Sequence, residues 1–180
     1  MAQLPILVAP DPSLKKPAHP VASVDADVRR LMDDMLETMY AAPGIGLAGP
    51  QVNARKRVLV VDIAGDGETP QPYRMANPVI EARGEELETR EEGCLSLPEV
   101  YAEISRPNWA RVRYLDETNT EQVVEAEGFL ATVLQHEVDH LNGVLFIDYL
   151  SSLKRNMILR RLGKQRKSKG KSPGTREPAS

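Results

Sequence analysis

Apolar residues recur at helical spacing between residues 23 and 40, in the sequence SVDADVRRLMDDMLETMY. Ser23 or Asp25 can accept hydrogen bonds from the first free N–H groups of a helix, so either residue can cap it. Pro43 and the glycines of APGIG are incompatible with its continuation. The pattern therefore predicts an N-terminal helix, whose buried face consists of Val28, Leu31, Met32, Met35, Leu36 and Met39.

A second helical pattern covers FLATVLQHEVDHL, which begins near Gly128 and ends at the stop signal Asn142-Gly143. The next apolar run, VLFIDYL, is short, and we predict a brief extended segment there. A serine-capped last helix is predicted for SSLKRNMILRRLGKQRK, and the composition from about Ser168 onward is typical of disorder. At this length we expect one domain over residues 1–165, followed by a basic, disordered tail at 166–180.

The region from residue 57 to residue 127 has the composition of β-strands. Five short segments are rich in β-branched and aromatic residues and are separated by turn sequences such as DETNT. Because no helical pattern intervenes, consecutive strands are expected to pair as antiparallel sheets. The predicted class is α+β, with antiparallel sheets around a central helix and with N-terminal and C-terminal helices. The five segments are RVLVVDI, MANPVIEA, EVYAEIS, WARVRYLD and EQVVEAEG.

Charged residues are unevenly distributed, although the formal net charge is only −3. Residues 1–150 contain 25 of the 26 acidic residues but only 13 of the 23 Lys and Arg residues. The last 30 residues contain the other ten basic residues and a single acidic one, Glu177. An acidic body with a basic end suggests an anionic partner for that end, although a solvated helix with a loose end has the same composition.

Cys94 is the single cysteine of the chain, which excludes an internal disulfide bond and is typical of a reducing compartment. The N-terminal sequence MAQLPILVAPDPSLKK has no basic flank before its apolar run, which Pro5 and Pro10 interrupt, so we do not expect a signal peptide. No apolar run approaches the ~20 residues that span a membrane. We therefore expect a cytoplasmic protein with no membrane segment.

His136, Glu137 and His140 form the pattern HExxH on the second predicted helix. Residues four apart lie one above the other on a helix face, so both imidazoles can bind one metal ion while the Glu137 carboxylate handles protons beside it. Two surface histidines on an amphipathic helix would have the same spacing. A third ligand decides between these interpretations, because catalytic zinc sites use three protein groups and keep one position open.

Residues downstream of the motif do not supply the third ligand. The longer motif HExxHxxGxxH requires a further histidine, and Phe146 stands at its position although Gly143 is present. A glutamate from a later helix is another known solution, but the only one after His140 is Glu177 in the predicted tail. Asp148 is the one other downstream acid. The familiar peptidase arrangements therefore do not fit this chain.

Upstream of the motif, Cys94 follows Gly93, whose missing side chain permits close approach of the backbone. A lone cysteine in a cytosolic protein is usually a small buried hydrophobe. In a chain with an HExxH helix, however, a cysteine in a Gly-Cys-Leu-Ser turn is favoured as a thiolate ligand. We predict a metal site formed by Cys94, His136 and His140, with a fourth position open to water.

Three stretches of the chain resemble, in order and spacing, the signature motifs of the peptide deformylases. They are GIGLAGPQ at residues 44–51, EGCLSLP at residues 92–98 and QHEVDHLNG at residues 135–143. The resemblance covers nearly all of residues 1–160. It implies a metal-dependent amide hydrolase that removes the formyl group from the N-terminal formyl-methionine of nascent proteins and releases formate.

The resemblance also implies a cofactor and a set of roles. Members of the family use one divalent metal ion, Fe²⁺ in vivo, and also accommodate Zn²⁺ or Ni²⁺. The matching positions are Cys94, His136 and His140 for the metal, Glu137 for the general base and acid, and Gln51 with the Leu95 backbone N–H for the oxyanion.

Further residues are predicted to bind the substrate or support the site. The methionine side chain requires an apolar pocket, and Gly46 and Gly93 would allow the substrate to approach the backbone closely. For the pocket we predict Ile45, Phe129 and Val133, although helical periodicity alone is equally compatible with core positions for the last two. Glu92 and Arg106 are expected to pair and to brace the Cys94 strand.

The chain departs from the family's motifs at three positions. Gly49 stands where an alanine is common, Leu97 where valine or isoleucine is usual, and Tyr101 where many members have arginine. Loss of that arginine affects the expected grip on the distal part of the substrate and leaves the expected chemistry unchanged.

The expected partners are the formyl-methionyl nascent peptide and the ribosome, since bacterial members of the family dock there through a C-terminal helix. We expect a monomer. One alternative is a catalytically inactive relative that binds formyl-peptides or ribosomes, and intact Cys94, Glu137 and Gln51 argue against it. Another is a metallopeptidase that cuts ordinary peptide bonds, which the missing downstream ligand disfavours.

Overall fold

The computed structural model describes residues 2–170, and within them the chain forms three α-helices and seven β-strands. The helices are α1 (Ala26–Ala41), α2 (Gly128–Leu141) and α3 (Ser152–Gly170). The strands are β1 (Gly46–Ala48), β2 (Val58–Val61), β3 (Tyr73–Arg83), β4 (Leu87–Cys94), β5 (Leu97–Pro107), β6 (Trp109–Leu115) and β7 (Glu121–Glu127). Short 3₁₀ helices cover Pro12–Lys15, Gly49–Val52 and Phe146–Tyr149.

The strands form two sheets, and neighbouring strands are antiparallel in both. One sheet has five strands in the order β1-β2-β3-β6-β7, and the other consists of β4 and β5. Cys94 and Leu97 are paired at the turn that joins β4 to β5. The predicted α+β class is confirmed, together with the antiparallel sheets and the helices near both ends of the chain.

Strand β2 is buried on both faces and separates two parts of the core. Successive side chains of a strand point to opposite faces. Leu59 and Val61 therefore belong to a cluster with Leu134 and Leu141 of α2. The alternate residues of β2, Val58 and Val60, belong to a second cluster. Helix α1 contributes Met32, Met35 and Met39 to this cluster. Helix α2 is thus held in the interior, next to the five-stranded sheet.

The predicted ends of α1 and α2 and the predicted serine cap of α3 agree with the structure. The Asp25 side chain accepts a hydrogen bond from the Val28 N–H at 2.9 Å, so Asp25 is the N-cap of α1. Helix α2 ends at Leu141, directly before the predicted stop signal. The Ser151 hydroxyl accepts a hydrogen bond from the Lys154 N–H at 3.3 Å, as expected for a serine-capped last helix.

The structure differs from the sequence-based prediction at several elements, among them the short strand β1, which was not predicted. Strand β4 was not among the predicted strands because LETREEGC has almost no apolar face, and Glu92 is its only buried residue. The prediction of an extended VLFIDYL segment is wrong, because Phe146–Tyr149 form a 3₁₀ helix. The Asp148 carboxylate accepts a hydrogen bond from the Leu145 N–H at 2.9 Å and closes this turn locally.

Helix α3 is attached to the body through a third apolar cluster. Leu162 is buried against β5, where it belongs to the same cluster as Val100 and Ile104. The helix continues to Gly170, three residues beyond the predicted end at Lys167, and residues 171–180 lie outside the described residues. The predicted disorder of the tail therefore stays a prediction. Among the described residues, the helices are too short or too polar to cross a membrane.

Candidate metal centre

Cys94, His136 and His140 converge at one point in the protein. Cys94 ends β4, both histidines lie on α2, and one potential ligand atom from each residue lies within 4.8 Å of the others. The Cys94 Sγ is 3.3 Å from Nε2 of His140, and the two imidazole centroids are 5.1 Å apart. The structure therefore brings together the three ligands that the sequence predicted.

Phe146 occupies the position at which the longer HExxHxxGxxH motif has a third histidine. Its ring stacks on the His136 imidazole, with the ring centroids 5.9 Å apart. The side chain is fully buried and belongs to the same cluster as Leu97. At this position the chain therefore has a packing residue for His136 and no further metal ligand.

A buried chain of charged groups orients His136. Its Nδ1 lies 2.9 Å from the Glu92 carboxylate, which leaves Nε2 available to bind a metal ion. Glu92 in turn accepts hydrogen bonds from Nε and Nη2 of Arg106 at 2.7 and 3.0 Å. Arg106 also donates to the Asp139 carboxylate at 2.9 Å, and the Tyr149 hydroxyl donates to the same carboxylate at 2.7 Å. The predicted Glu92–Arg106 pair is confirmed.

The electrostatic environment of the ligands favours a cation. Burial by itself lowers the pKa of His136, but its interactions with Cys94 and Glu92 outweigh burial and raise the pKa to about 10. Burial and the charge of His136 hold the pKa of His140 well below its usual value, so that this imidazole is neutral. A metal ion between these groups would satisfy the same preference for positive charge that the proton satisfies on His136.

Glu137 lies beside the ligands with a carboxylate that is only partly engaged. Burial raises its pKa to about 7, and its Oε2 has no hydrogen-bond partner within residues 2–170. A Cβ atom on Gly46 would lie 2.5 Å from Oε1 of Glu137, so the carboxylate packs directly against the glycine backbone. Nδ1 of His140 is another buried polar atom without a partner in the described part of the chain. The thiol and the two imidazoles, with the Oε2 of Glu137 beside them, fit a bound metal ion.

Hydrogen bonds to both ends of its amide hold the Gln51 side chain next to Cys94. Its Oε1 accepts a hydrogen bond from the Ala48 N–H at 2.9 Å, which fixes the orientation of the amide. Its Nε2 donates to the Ser96 hydroxyl at 3.0 Å and lies 3.4 Å from Sγ of Cys94. Leu95 lies on the turn between β4 and β5, directly after Cys94, and borders an open cleft. Its side chain packs over Gly44, where a Cβ atom would lie 2.7 Å from Cδ1 of Leu95.

A cleft of about 600 Å³ opens above the metal ligands. It is bordered by the five residues predicted to bind the substrate, which are Ile45, Gly46, Gly93, Phe129 and Val133. Ile45 and Phe129 are 42% and 41% exposed, which is more than a purely structural core residue would be, whereas Val133 is 6% exposed and also belongs to the core. The geometry therefore supports a pocket position for the first two.

Several residues of the cleft were not predicted from the sequence. Thr132 lies one helical turn before His136 on α2, and its position could have been found from the same helical periodicity. Ile6 and Val100 reach the cleft from the N-terminal segment and from β5. Their contribution depends on tertiary packing, and no local pattern indicates it.

The three departures from the family's motifs have different structural settings. A Cβ on Gly49 would lie 2.6 Å from the Lys56 carbonyl oxygen, so glycine fits here without a shift of the backbone. Leu97 is buried in the core beneath the cleft. Tyr101 is 66% exposed at the rim, and its ring covers Gly93, where a Cβ would lie 2.7 Å from Cε1.

Comparison with known proteins agrees with this geometry. The family model described as polypeptide deformylase matches residues 3–156. A peptide deformylase of Rhizobium meliloti (strain 1021) is 55% identical over 166 residues, which is 92% of this chain and 95% of that protein. One of Mesorhizobium japonicum is 52% identical over 170 residues, which is 94% of this chain and 96% of the relative.

Solved structures give the same result. The crystal structure of peptide deformylase from Ehrlichia chaffeensis aligns with a TM-score of 0.89 at 38% identity and covers 93% of this chain and 99% of its own. The crystal structure of a peptide deformylase from Legionella pneumophila aligns with a TM-score of 0.86 at 41% identity. It covers 96% of this chain and 100% of its own. The chain therefore belongs to the peptide deformylases, metal-dependent hydrolases that remove the N-terminal formyl group from nascent peptides.

Proposed function

We propose that Cys94, His136 and His140 hold a single divalent metal ion, at which the formamide of an N-formylmethionyl peptide is hydrolysed to formate and a free amine. The observation that supports this most directly is the convergence of one thiol and two imidazoles, within 4.8 Å of one another, at the base of an open cleft. When bound, such a metal lowers the pKa of water and polarises the formyl carbonyl.

Glu137 is proposed to move the proton during hydrolysis. Its carboxylate lies next to the ligands, and its unpartnered Oε2 can accept the proton of the attacking water. The same oxygen can then return the proton to the nitrogen of the leaving amine. Burial raises the pKa of this carboxyl to about 7, which suits a group that must both accept and donate a proton near neutrality.

Gln51 and the backbone N–H of Leu95 are proposed to stabilise the negative charge that develops on the formyl oxygen. The Gln51 amide is already oriented by Ala48 and Ser96, so little reorganisation is needed when charge develops. One donor of this kind is typically worth ~3 kcal/mol of transition-state stabilisation. For the methionine side chain we propose the apolar wall formed by Ile45, Phe129 and Val133, with Gly46 and Gly93 leaving room for the peptide backbone.

We propose Fe²⁺ as the ion bound in the cell, with Zn²⁺ or Ni²⁺ as substitutes. A site with one thiolate, two imidazoles and an open position suits each of these ions, so the coordination set alone leaves the choice open. The family resemblance supports iron. Metal analysis of protein purified without oxygen is the corresponding measurement, and a predominance of another metal would contradict this assignment.

We further propose that the protein works as a monomer in the cytoplasm and associates with ribosomes through the basic helix α3. Formyl-methionine is accessible while a chain leaves the ribosome, so a deformylase benefits from being held near the exit. The exposed cations of α3 support an anionic partner.

The Glu137→Gln variant tests the proposed chemistry. The carboxamide keeps the size of the side chain but cannot accept a proton, so formate release from formyl-Met-Ala-Ser should fall by about 10²–10⁴-fold while the metal stays bound. Glu85→Gln, at an exposed position, is the matched control and should change neither quantity. Near wild-type formate release with bound metal would show that Glu137 is misassigned, and no release from the wild-type protein would favour an inactive relative.

A further inference from the structure

A second groove, of about 610 Å³, lies next to the cleft between strand β5 and helix α3. On one side it is bordered by consecutive residues of β5, from Tyr101 to Glu103. On the other side it is bordered by one face of α3, which carries residues at helical spacing. The helical residues are Lys154, Met157, Ile158 and Arg161, and Leu150 closes the groove ahead of the helix.

Tyr101 connects the groove to the cleft, because its side chain borders both. Strand β5 runs from the cleft to the groove. Residues 97–101 border the cleft, and residues 101–103 border the groove. The tyrosine ring rests on Gly93, next to the metal ligand Cys94, and remains 66% exposed. A substrate that extends beyond the cleft on this side meets the tyrosine first and the groove next.

The groove has a mixed chemical character that suits an extended peptide. Its apolar surface includes Met157, which is 61% exposed, and methionine is well suited to contact varied partners because its side chain is flexible. Lys154 and Arg161 stand seven residues apart on the same helix face, and Glu103 is the one acidic residue at the groove. The groove thus offers apolar contact and a net positive charge.

We propose that the nascent chain downstream of formyl-methionine leaves the cleft over Tyr101 and binds in the groove between β5 and α3. The enzyme then favours chains with an apolar or acidic side chain in that segment over chains with a basic one. This proposal rests on the proposed deformylation at the metal site. It names the nascent chain as the occupant because the groove continues the substrate cleft through a shared residue, and because its cations complement an acidic side chain.

Three peptides test the proposal: formyl-Met-Ala-Ser, and its extensions by Leu-Glu-Ala and by Leu-Lys-Ala. The short peptide measures deformylation alone. With the wild-type protein, the Glu extension should have a KM about threefold lower than the short peptide, a size that is typical of exposed charge and apolar contacts. The Lys extension should gain less. In all cases kcat should be unchanged, because the reacting atoms are the same.

Variants of α3 link this effect to the groove. Met157→Asp should remove the gain from the extension, and Arg161→Glu should reverse the preference so that the Lys peptide binds more tightly. Leu153→Asp and Arg160→Glu are matched controls, because both residues are exposed on α3 but do not border the groove. Neither control should alter any KM, and all four variants should deformylate formyl-Met-Ala-Ser like the wild type.

The possible outcomes separate this proposal from the proposed function. If the wild-type protein deformylates all three peptides with the same KM, or if the controls act like the groove variants, the groove proposal is overturned while deformylation stands. If formyl-Met-Ala-Ser itself is not hydrolysed, the proposed function fails and the groove proposal with it. A protein ending at Gly170 that binds the extended peptides more tightly would identify the tail as the occupant, which also overturns the proposal.

Discussion

Gly46 and Glu137 lie so close together that the glycine has no room for a methyl group. A Cβ at position 46 would be 2.5 Å from Oε1 and 3.0 Å from Cγ of the glutamate, which is itself buried. The carboxylate is a flexible end, so it would move before the backbone does. The proton transfer proposed for Glu137 depends on the position of this carboxylate, so Gly46 would affect catalysis although it contributes no side chain.

We therefore predict that Gly46→Ala lowers kcat for formyl-Met-Ala-Ser by about 10²-fold, the loss expected when a catalytic group is displaced by about 1 Å. Metal content should be unchanged, because the ligands lie on other residues. Gly65→Ala is the control, since a Cβ there would have its nearest neighbour at 3.5 Å, an ordinary contact. An active Gly46→Ala enzyme would mean that Glu137 has more freedom than this packing allows.

The convergence of Cys94, His136 and His140 could be predicted from the sequence, whereas part of the cleft could not. HExxH fixes two ligands through helix geometry, and the absence of a suitable downstream residue directs attention to Cys94. Thr132 shares the helix of His136 and was within reach of the same argument. Ile6 reaches the cleft from a segment far away in sequence, and only the folded structure determines its position.

At the scale of secondary-structure elements, Arg106 links its own strand to three other elements. It lies on β5, pairs with Glu92 of β4 and with Asp139 of α2, and places its guanidinium over the Tyr149 ring at 5.0 Å. Both partners of the Glu92–Arg106 pair are almost fully buried. Buried ion pairs therefore hold the two-stranded sheet and α2 together, and water has little access to replace these contacts.

We predict that Arg106→Met lowers the free energy of unfolding by about 3–5 kcal/mol, because it breaks a buried ion pair and leaves the Glu92 carboxylate with His136 as its remaining partner. Arg111→Met breaks an exposed pair with Glu125 and should cost less than about 1 kcal/mol. Adding Glu92→Gln to Arg106→Met should restore part of the loss. Denaturant unfolding of the metal-free proteins measures all three, and similar losses for the two arginine variants would contradict the buried-charge argument.

The elements that the sequence predicted are those with a clear apolar pattern. Helices α1 and α2 have a periodic apolar face, as does β6, whereas β2 was predicted from a continuous apolar run that is buried on both faces. Strand β4 was missed because its eight residues, LETREEGC, carry charges on both faces, and its only buried side chain is the Glu92 carboxylate. The Phe146–Tyr149 turn was mistaken for an extended segment because its conformation depends on one local carboxylate, Asp148, and not on periodicity.

At the scale of the whole molecule, basic residues are concentrated in the last 30 residues, which include α3, whereas residues 1–150 carry an excess of acidic residues. The helix is also part of the fold, since Leu162 is buried against β5, so its removal would expose the core. Charge reversal is therefore a cleaner test of ribosome association than truncation. Arg160, Lys164 and Lys167 recur at helical spacing on a face that does not border the groove, and all three are exposed.

We predict that the triple reversal Arg160→Glu, Lys164→Glu and Lys167→Glu weakens ribosome association while leaving hydrolysis of formyl-Met-Ala-Ser unchanged. Each phosphate contact releases condensed counterions, so wild-type binding should fall steeply with salt, and the variant should show a shallower dependence. Co-sedimentation with ribosomes over a series of salt concentrations measures both. The control reverses the same number of exposed charges on the body, at Lys16, Arg30 and Arg83, and should bind like the wild type. If both triple variants lose binding equally, net charge and not the α3 surface is responsible, and if binding is insensitive to salt, phosphate contacts do not contribute.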